Sequence, residues 1–129
     1  MFISIMYIHM NFIDLNLPSG TKWSEQAIKK NIFELTDEER KMLPTNTQLL
    51  ELARKCLNIG ANRQHYFHSL KDNSNFITIP QSERRNDETA PVILKSDECL
   101  IASIWNNKIW TSRYSLALRE PTYVLFVKT

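Results

Sequence analysis

The sequence predicts an α+β fold: an N-terminal strand, then two to three helices packed on one face of a C-terminal antiparallel sheet of four to five strands. Three observations predict it. Residues 99–129 hold two apolar runs around Asn106-Asn107 and a third after Pro121. Residues 48–59 carry a helical stripe behind a Thr-rich start. Residues 1–13 contain no charged side chain and read as one apolar run.

That first run (MFISIMYIHMNFI) is expected to be a strand apolar on both faces, or an apolar element that docks on a partner. It is too short for a membrane span, which needs about 20 apolar residues. It also lacks the basic start and small-residue cleavage site of a signal peptide. Met1, Met6 and Met10 are all possible initiators. Leu17-Pro18-Ser19-Gly20 then makes a turn. Over residues 23–35, Ile28, Ile32 and Leu35 recur at helical spacing, with Trp23 and Ala27 adjoining, and Thr21 or Ser24 as a cap. Thr36-Asp37-Glu38-Glu39 matches a capping box with acids in the first turn, and Pro44 stops the helix near Leu43.

Thr45-Asn46-Thr47 caps the strongest predicted helix, residues 48–59. Leu49, Leu52, Ala53 and Cys56 form its stripe, and Leu50 and Leu57 widen it. Glu51 and Lys55 make an i,i+4 pair, with Gly60 at the C′ position. Residues 62–70 fit a short helix capped by Asn62 better than a lead into a strand. Residues 73–75 turn, and residues 76–79 form a short strand ended by Pro80. The polar, Pro-bounded stretch 81–91 (QSERRNDETAP) is a mobile surface loop. Residues 92–95 are another strand, and residues 96–98 turn into the main hairpin. Adjacent asparagines tolerate the positive φ of a two-residue turn. Asn106-Asn107 therefore sets a register in which Ser103 faces Trp110, Ile101 faces Ser112 and Cys99 faces Tyr114. One face then holds Cys99, Ile101, Trp105, Trp110, Tyr114, Leu116 and Leu118 and is expected to be core. The other holds Leu100, Ala102, Ile104, Ile109, Thr111, Arg113, Ser115 and Arg119 and is mixed and partly wet. Residues 122–128 supply a last strand.

Length and composition narrow the function classes. At 129 residues the chain fits one domain, residues 1–129. A hydrophobic fraction of 43% with three Trp suffices for a core. A chain of this size buries roughly two-thirds of its unfolded surface. Two glycines exclude a Gly-rich phosphate loop. Net charge is only +2, without the basic footprint of most nucleic-acid binders. Cys56 and Cys99 are too few for a disulfide framework and are expected as buried reduced thiols in a cytoplasmic protein.

Few constellations carry chemistry. His65 and His68, at i and i+3, would share a helix face and suit two metal ligands, but a third ligand is missing, so no metal is expected. Neither is a cofactor. Cys99 has no sequence neighbour that would activate it as a nucleophile, and no G-x-S-x-G elbow occurs. Arg84 and Arg85 lie among acids in the long loop and suit contact with carboxylates. The segment from Lys108 to Arg119 has no acid and interleaves Arg113 and Arg119 with Trp110 and Tyr114.

The order β-α-α followed by antiparallel strands resembles that of RelE-type ribonuclease toxins. The resemblance implies RNA cleavage by acid–base work on a basic, aromatic sheet, with His65, His68, Arg113 and Tyr114 in the analogous parts. The weak charge opposes it, because RNA binding leans on a positive field. The sequence favours a small non-enzymatic interaction protein that binds and modulates another protein, of inhibitor, immunity or accessory type. Its expected contact residues are Arg84, Arg85, Arg113 and Arg119, with no membrane partner. The alternative is an RNA-cleaving or RNA-binding domain on a RelE-like sheet.

Overall fold

The computed structural model describes residues 10–129. The chain opens with strands β1 (Phe12–Asp14), β2 (Lys22–Ser24) and β3 (Ile28–Lys29). A 3-10 turn (Ile32–Glu34) and helices α1 (Asp37–Lys41) and α2 (Asn46–Lys55) follow. Then come β4 (Cys56–Ala61), β5 (Gln64–Ser69), β6 (Phe76–Pro80), β7 (Val92–Ile93), β8 (Leu100–Trp105) and β9 (Lys108–Arg113). The last strands are β10 (Tyr123–Val124) and β11 (Val127–Lys128). Among the described residues, these strands form three sheets, in the orders β1-β2-β11, β3-β10-β7-β8-β9 and β4-β5-β6.

This architecture overturns the expected α+β layout. The protein is mostly sheet, its α-helices are only five and ten residues long, and three sheets stand where one was expected. The five-stranded sheet is mixed, because β10 runs parallel to β7. The expected strand over residues 1–13 lies largely outside the described residues; Phe12 and Ile13 belong to β1.

The helix expected over residues 23–35 is absent. Trp23 and Ser24 instead lie in a strand between β1 and β11. The Ser24 amide donates to the Phe126 carbonyl at 2.9 Å, and the Phe126 amide to Ser24 Oγ at 2.9 Å. These long-range bonds override a helical stripe that was only local. Ile32 survives in the 3-10 turn, which Asn31 caps through a capping box with Glu34. The two expected α-helical caps are present: Thr36 with Glu39, and Thr45 with Gln48. Lys30 Nζ bonds Glu39 Oε2 at 2.7 Å, tying the start of the 3-10 turn to α1.

Helix α2 buries Leu49, Leu52 and Ala53, as its stripe requires. It ends a turn early, because Cys56 is extended (φ −121°, ψ 155°) and begins β4. Asn62 and Arg63, at φ 53° and 61°, then turn β4 back onto β5. The short helix expected over residues 62–70 is therefore a strand. Gly60 lies inside β4 opposite His65 rather than closing a helix.

The core has two parts. The larger packs α2 against residues of all three sheets, including Trp23, Phe67, Ile79, Val92 and Ile104. The smaller gathers Ile32, Leu35, Leu43, Ile93, Ile101, Val124 and Phe126. The five-stranded sheet lies between them, so neighbours such as Ile101 and Ala102 are both buried, on opposite faces. The β8–β9 register is the expected one, and Asn106 and Asn107 make its turn at φ 55° and 59°. The face assignment needs correction. The face of Ala102 and Ile104 joins the larger core, with Leu100 and Ile109 packed against it. On the other face Ile101 is core, while Trp110 and Leu116 are exposed. Cys99 is exposed as well, whereas Cys56 is buried.

Candidate functional site

Beyond Ile101 the sheet face opens to solvent, and the site lies there. Pairing sets Ser103 opposite Trp110 and Ile101 opposite Ser112. These four residues floor a hollow of about 270 Å³. Arg84 and Glu88 line it from the 81–91 loop, and Leu118 and Glu120 from the segment after β9.

The two ends of the loop are hydrogen-bonded to each other and to β8. Gln81 and Thr89 bridge its base. The Ser82 amide donates to the Glu88 carbonyl at 2.8 Å, and the Ala90 amide to the Pro80 carbonyl at 2.8 Å. Thr89 stitches the loop to β8: its amide donates to the Ile104 carbonyl at 3.0 Å, and its Oγ1 accepts from the Ile104 amide at 2.8 Å. Ser82, Glu88 and Thr89 are buried in consequence. The polar composition is used in part by the backbone: Ser82 Oγ accepts the Arg84 amide at 3.1 Å and Thr89 Oγ1 the Ile104 amide.

Arg84 reaches two carboxylates. Its Nε lies 3.6 Å from Glu120 Oε2 and its Nη2 lies 3.9 Å from Glu88 Oε1. The arginine side chain is 75% exposed, whereas both carboxylate side chains are under a tenth exposed. Glu120 Oε1 also accepts the Glu83 amide at 2.7 Å. Glu88 Oε1 accepts no hydrogen bond.

Beside the hollow, Trp105 and Trp110 pack with ring centroids 5.7 Å apart. The Arg85 guanidinium sits 3.9 Å above the Trp105 ring, and Arg85 Nε lies 3.4 Å from Asp87 Oδ1. The Trp105 indole donates to Asp87 Oδ2 at 2.9 Å, and that bond holds the Asp87 carboxyl below its ordinary range. On the far side, the hollow shares Leu118 and Glu120 with a smaller one, of about 160 Å³, that Tyr114 lines. Tyr114 meets Phe33 edge-on at 5.8 Å. Phe33 is 69% exposed and Leu116 84%. One surface thus runs from Arg85 and the tryptophans, past two buried carboxylates, to Tyr114 and Phe33.

The remaining expected residues lie elsewhere. Arg113 pairs with Leu100, on the opposite side of β9 from Trp110, and reaches Glu98 at 3.7 Å. Arg119 is exposed in the segment after β9. His65 and His68 are on β5, where a spacing of three puts them on opposite faces. His65 is buried: its Nδ1 lies 3.2 Å from Asn58 Oδ1 and its Nε2 lies 3.1 Å from the Asn86 carbonyl. Burial lowers its pKa, against hydrogen bonds to the backbone of Asn86 and Glu88 and the charge of Asp87. His68 lies against Phe76, with Nδ1 2.8 Å from the Asn73 carbonyl. The shared helix face that suggested a metal pair does not exist, and among the described residues no group of three His, Cys, Asp or Glu side chains is arranged to hold a metal ion. Burial, with the Glu51 charge, pushes the Cys56 thiol up to about 12, far from a thiolate nucleophile. The β-α-α order behind the ribonuclease resemblance also fails, since three strands precede α1.

Sequence reasoning placed Arg84 and Arg85 among the acids of the loop, Glu88 included, and set Trp105 and Trp110 on one face, but it missed Glu120 as a partner of Arg84. That carboxylate is joined to the loop only by the tertiary fold. No helix among the described residues is long and apolar enough to cross a membrane. No protein-family model matches this chain, and no curated protein or solved structure matches it significantly.

Proposed function

We propose that this chain is a small cytoplasmic, non-enzymatic interaction protein that binds and modulates another protein, in the manner of inhibitor, immunity or accessory proteins. The observation that carries this is Trp110: it is 51% exposed on a concave face, beside Trp105 and Arg85. Trp, Tyr and Arg dominate interface hot spots, and such anchors work best next to pockets that exclude water. Tyr114 and Phe33 extend the same surface. The residues of the ribonuclease alternative are divided between two sheets, with His65 and His68 on β5 and Arg113 at the end of β9, directly followed by Tyr114. A nuclease would need them in one cleft.

The test is affinity capture from the native host, identification of the retained protein by mass spectrometry, and titration calorimetry with that protein. Trp110→Ala is expected to fold normally and to weaken binding by about 2 kcal/mol or more. Arg113→Ala, on the other side of β9, is expected to change it by less than about 1 kcal/mol. Cleavage of a mixed RNA substrate by the wild type, abolished in Arg113→Ala, would overturn the proposal.

A further inference from the structure

We infer that the hollow between Glu88 and Glu120 receives a cationic side chain, an arginine or lysine, of the protein partner. This occupant presupposes the protein-binding role proposed above and adds the chemistry that the partner presents there. Glu88 is 6% exposed, and its Oε1 accepts no hydrogen bond. An ionised carboxylate out of water is costly unless donors satisfy it. Arg84 does not do so: at 3.9 Å its Nη2 is beyond hydrogen-bond distance. Arg84 is also shared with Glu120 and is mostly in solvent. Two carboxylates facing one guanidinium leave a negative charge inside the hollow. A second cation would complete the charge balance and supply the missing donors.

Shape and surroundings fit a side chain better than a drug-sized molecule. The volume of about 270 Å³ falls just below the roughly 300–1,000 Å³ usual for small-molecule sites. Trp110 supplies an exposed ring at the rim, and a cation over an indole face gains further attraction. Ser103 and Ser112 place hydroxyl groups on the floor. The hollow is continuous with the Tyr114 and Phe33 surface through Leu118 and Glu120. A basic residue flanked by apolar ones on the partner would match that arrangement.

The experiment needs no partner protein. N-acetyl-arginine amide is titrated into the labelled wild type while NMR follows the Trp110 indole N–H and the Ser103 and Ser112 amides. N-acetyl-citrulline amide, neutral but nearly the same shape, is the control. Saturable shifts are expected with the arginine probe and not with the citrulline probe. Glu88→Gln should weaken the arginine probe about tenfold or more, the loss expected for a hydrogen bond to a charged group. Arg84→Ala should tighten it, because the resident guanidinium no longer competes. Equal shifts with both probes, an unchanged Glu88→Gln titration, or no saturation in either wild type or Arg84→Ala would overturn the inference. If Glu88→Gln does not fold, the probe comparison and Arg84→Ala decide. A partner captured through Trp110 by a protein that ignores the arginine probe would sink this inference alone. Probe binding without any captured partner would uphold the cation site and remove the interaction role.

Discussion

His65 has a hydrogen-bond acceptor near each ring nitrogen, yet it is buried. Acceptors on both sides favour the imidazolium; burial opposes it and is the larger influence. The folded-state pKa therefore falls below the ordinary value of 6.5. The sign follows directly. As pH falls through 6.5, the unfolded chain takes up the proton first, so stability declines until the folded histidine also titrates. Thermal unfolding between pH 7 and pH 5 should show the melting temperature falling with acidification, with a smaller fall in His65→Gln. Identical slopes would mean that His65 does not drive the pH response. The residue was visible in the sequence as one of a histidine pair, but its role was not. On a helix, a spacing of three brings two side chains together; on a strand it separates them.

Helix α2 shows how one stripe can be read correctly and still misplace an element's end. Leu52 is fully buried in the larger core, and Leu52→Ala should cost about 2–5 kcal/mol. Glu51 lies on the exposed side, where the sequence suggested a pair with Lys55. Its carboxylate instead accepts the Ser19 amide at 3.0 Å and the Ser19 hydroxyl, pinning the turn before β2. Glu51→Ala should then cost about 0.5–1.5 kcal/mol, a hydrogen-bond loss rather than a surface-pair loss. Chemical denaturation of both variants measures the difference, and equal midpoints would contradict the face assignment. Cys56 continues the apolar stripe, so nothing in helical periodicity announces that β4 starts there. The strand signal came later. Along Gln64–Ser69, burial alternates without exception, His65, Phe67 and Ser69 turning inward. Asn62, taken as a helix cap, is the first residue of a two-residue turn like Asn106-Asn107. Asparagine suits both positions, and only the period that follows distinguishes them.

At the scale of the molecule, local devices were legible and the joining of sheets was not. Both α-helical caps, the β8–β9 register and β6 with its terminal Pro80 are written in short stretches. The three-sheet layout depends on pairs far apart in sequence, such as Trp23 with Val127 and Ile28 with Val124. A single strand was expected over residues 122–128. That run divides at Leu125-Phe126: β10 completes the five-stranded sheet, and β11 the sheet of β1 and β2. Leu125 enters the larger core and Phe126 the smaller. A variant ending at Pro121 should therefore lose both sheets together, giving no cooperative thermal transition by circular dichroism. A retained transition with a modest drop in melting temperature would show that the last two strands are accessories.

The same division of the C-terminal run has a consequence for biosynthesis. Ser24 and Phe126 are 102 residues apart, yet they meet through the bond that anchors β2. While the ribosome is still making residues 30–120, β2 and β3 have no access to their later partners. Closing so long a loop costs entropy before any contact repays it, and sheets of such contact order fold in about milliseconds to seconds rather than microseconds. Until then the nascent chain presents unpaired strand edges and the Trp23 side chain to its surroundings. That interval, rather than the finished fold, is when this protein is most open to misassociation and to capture by chaperones.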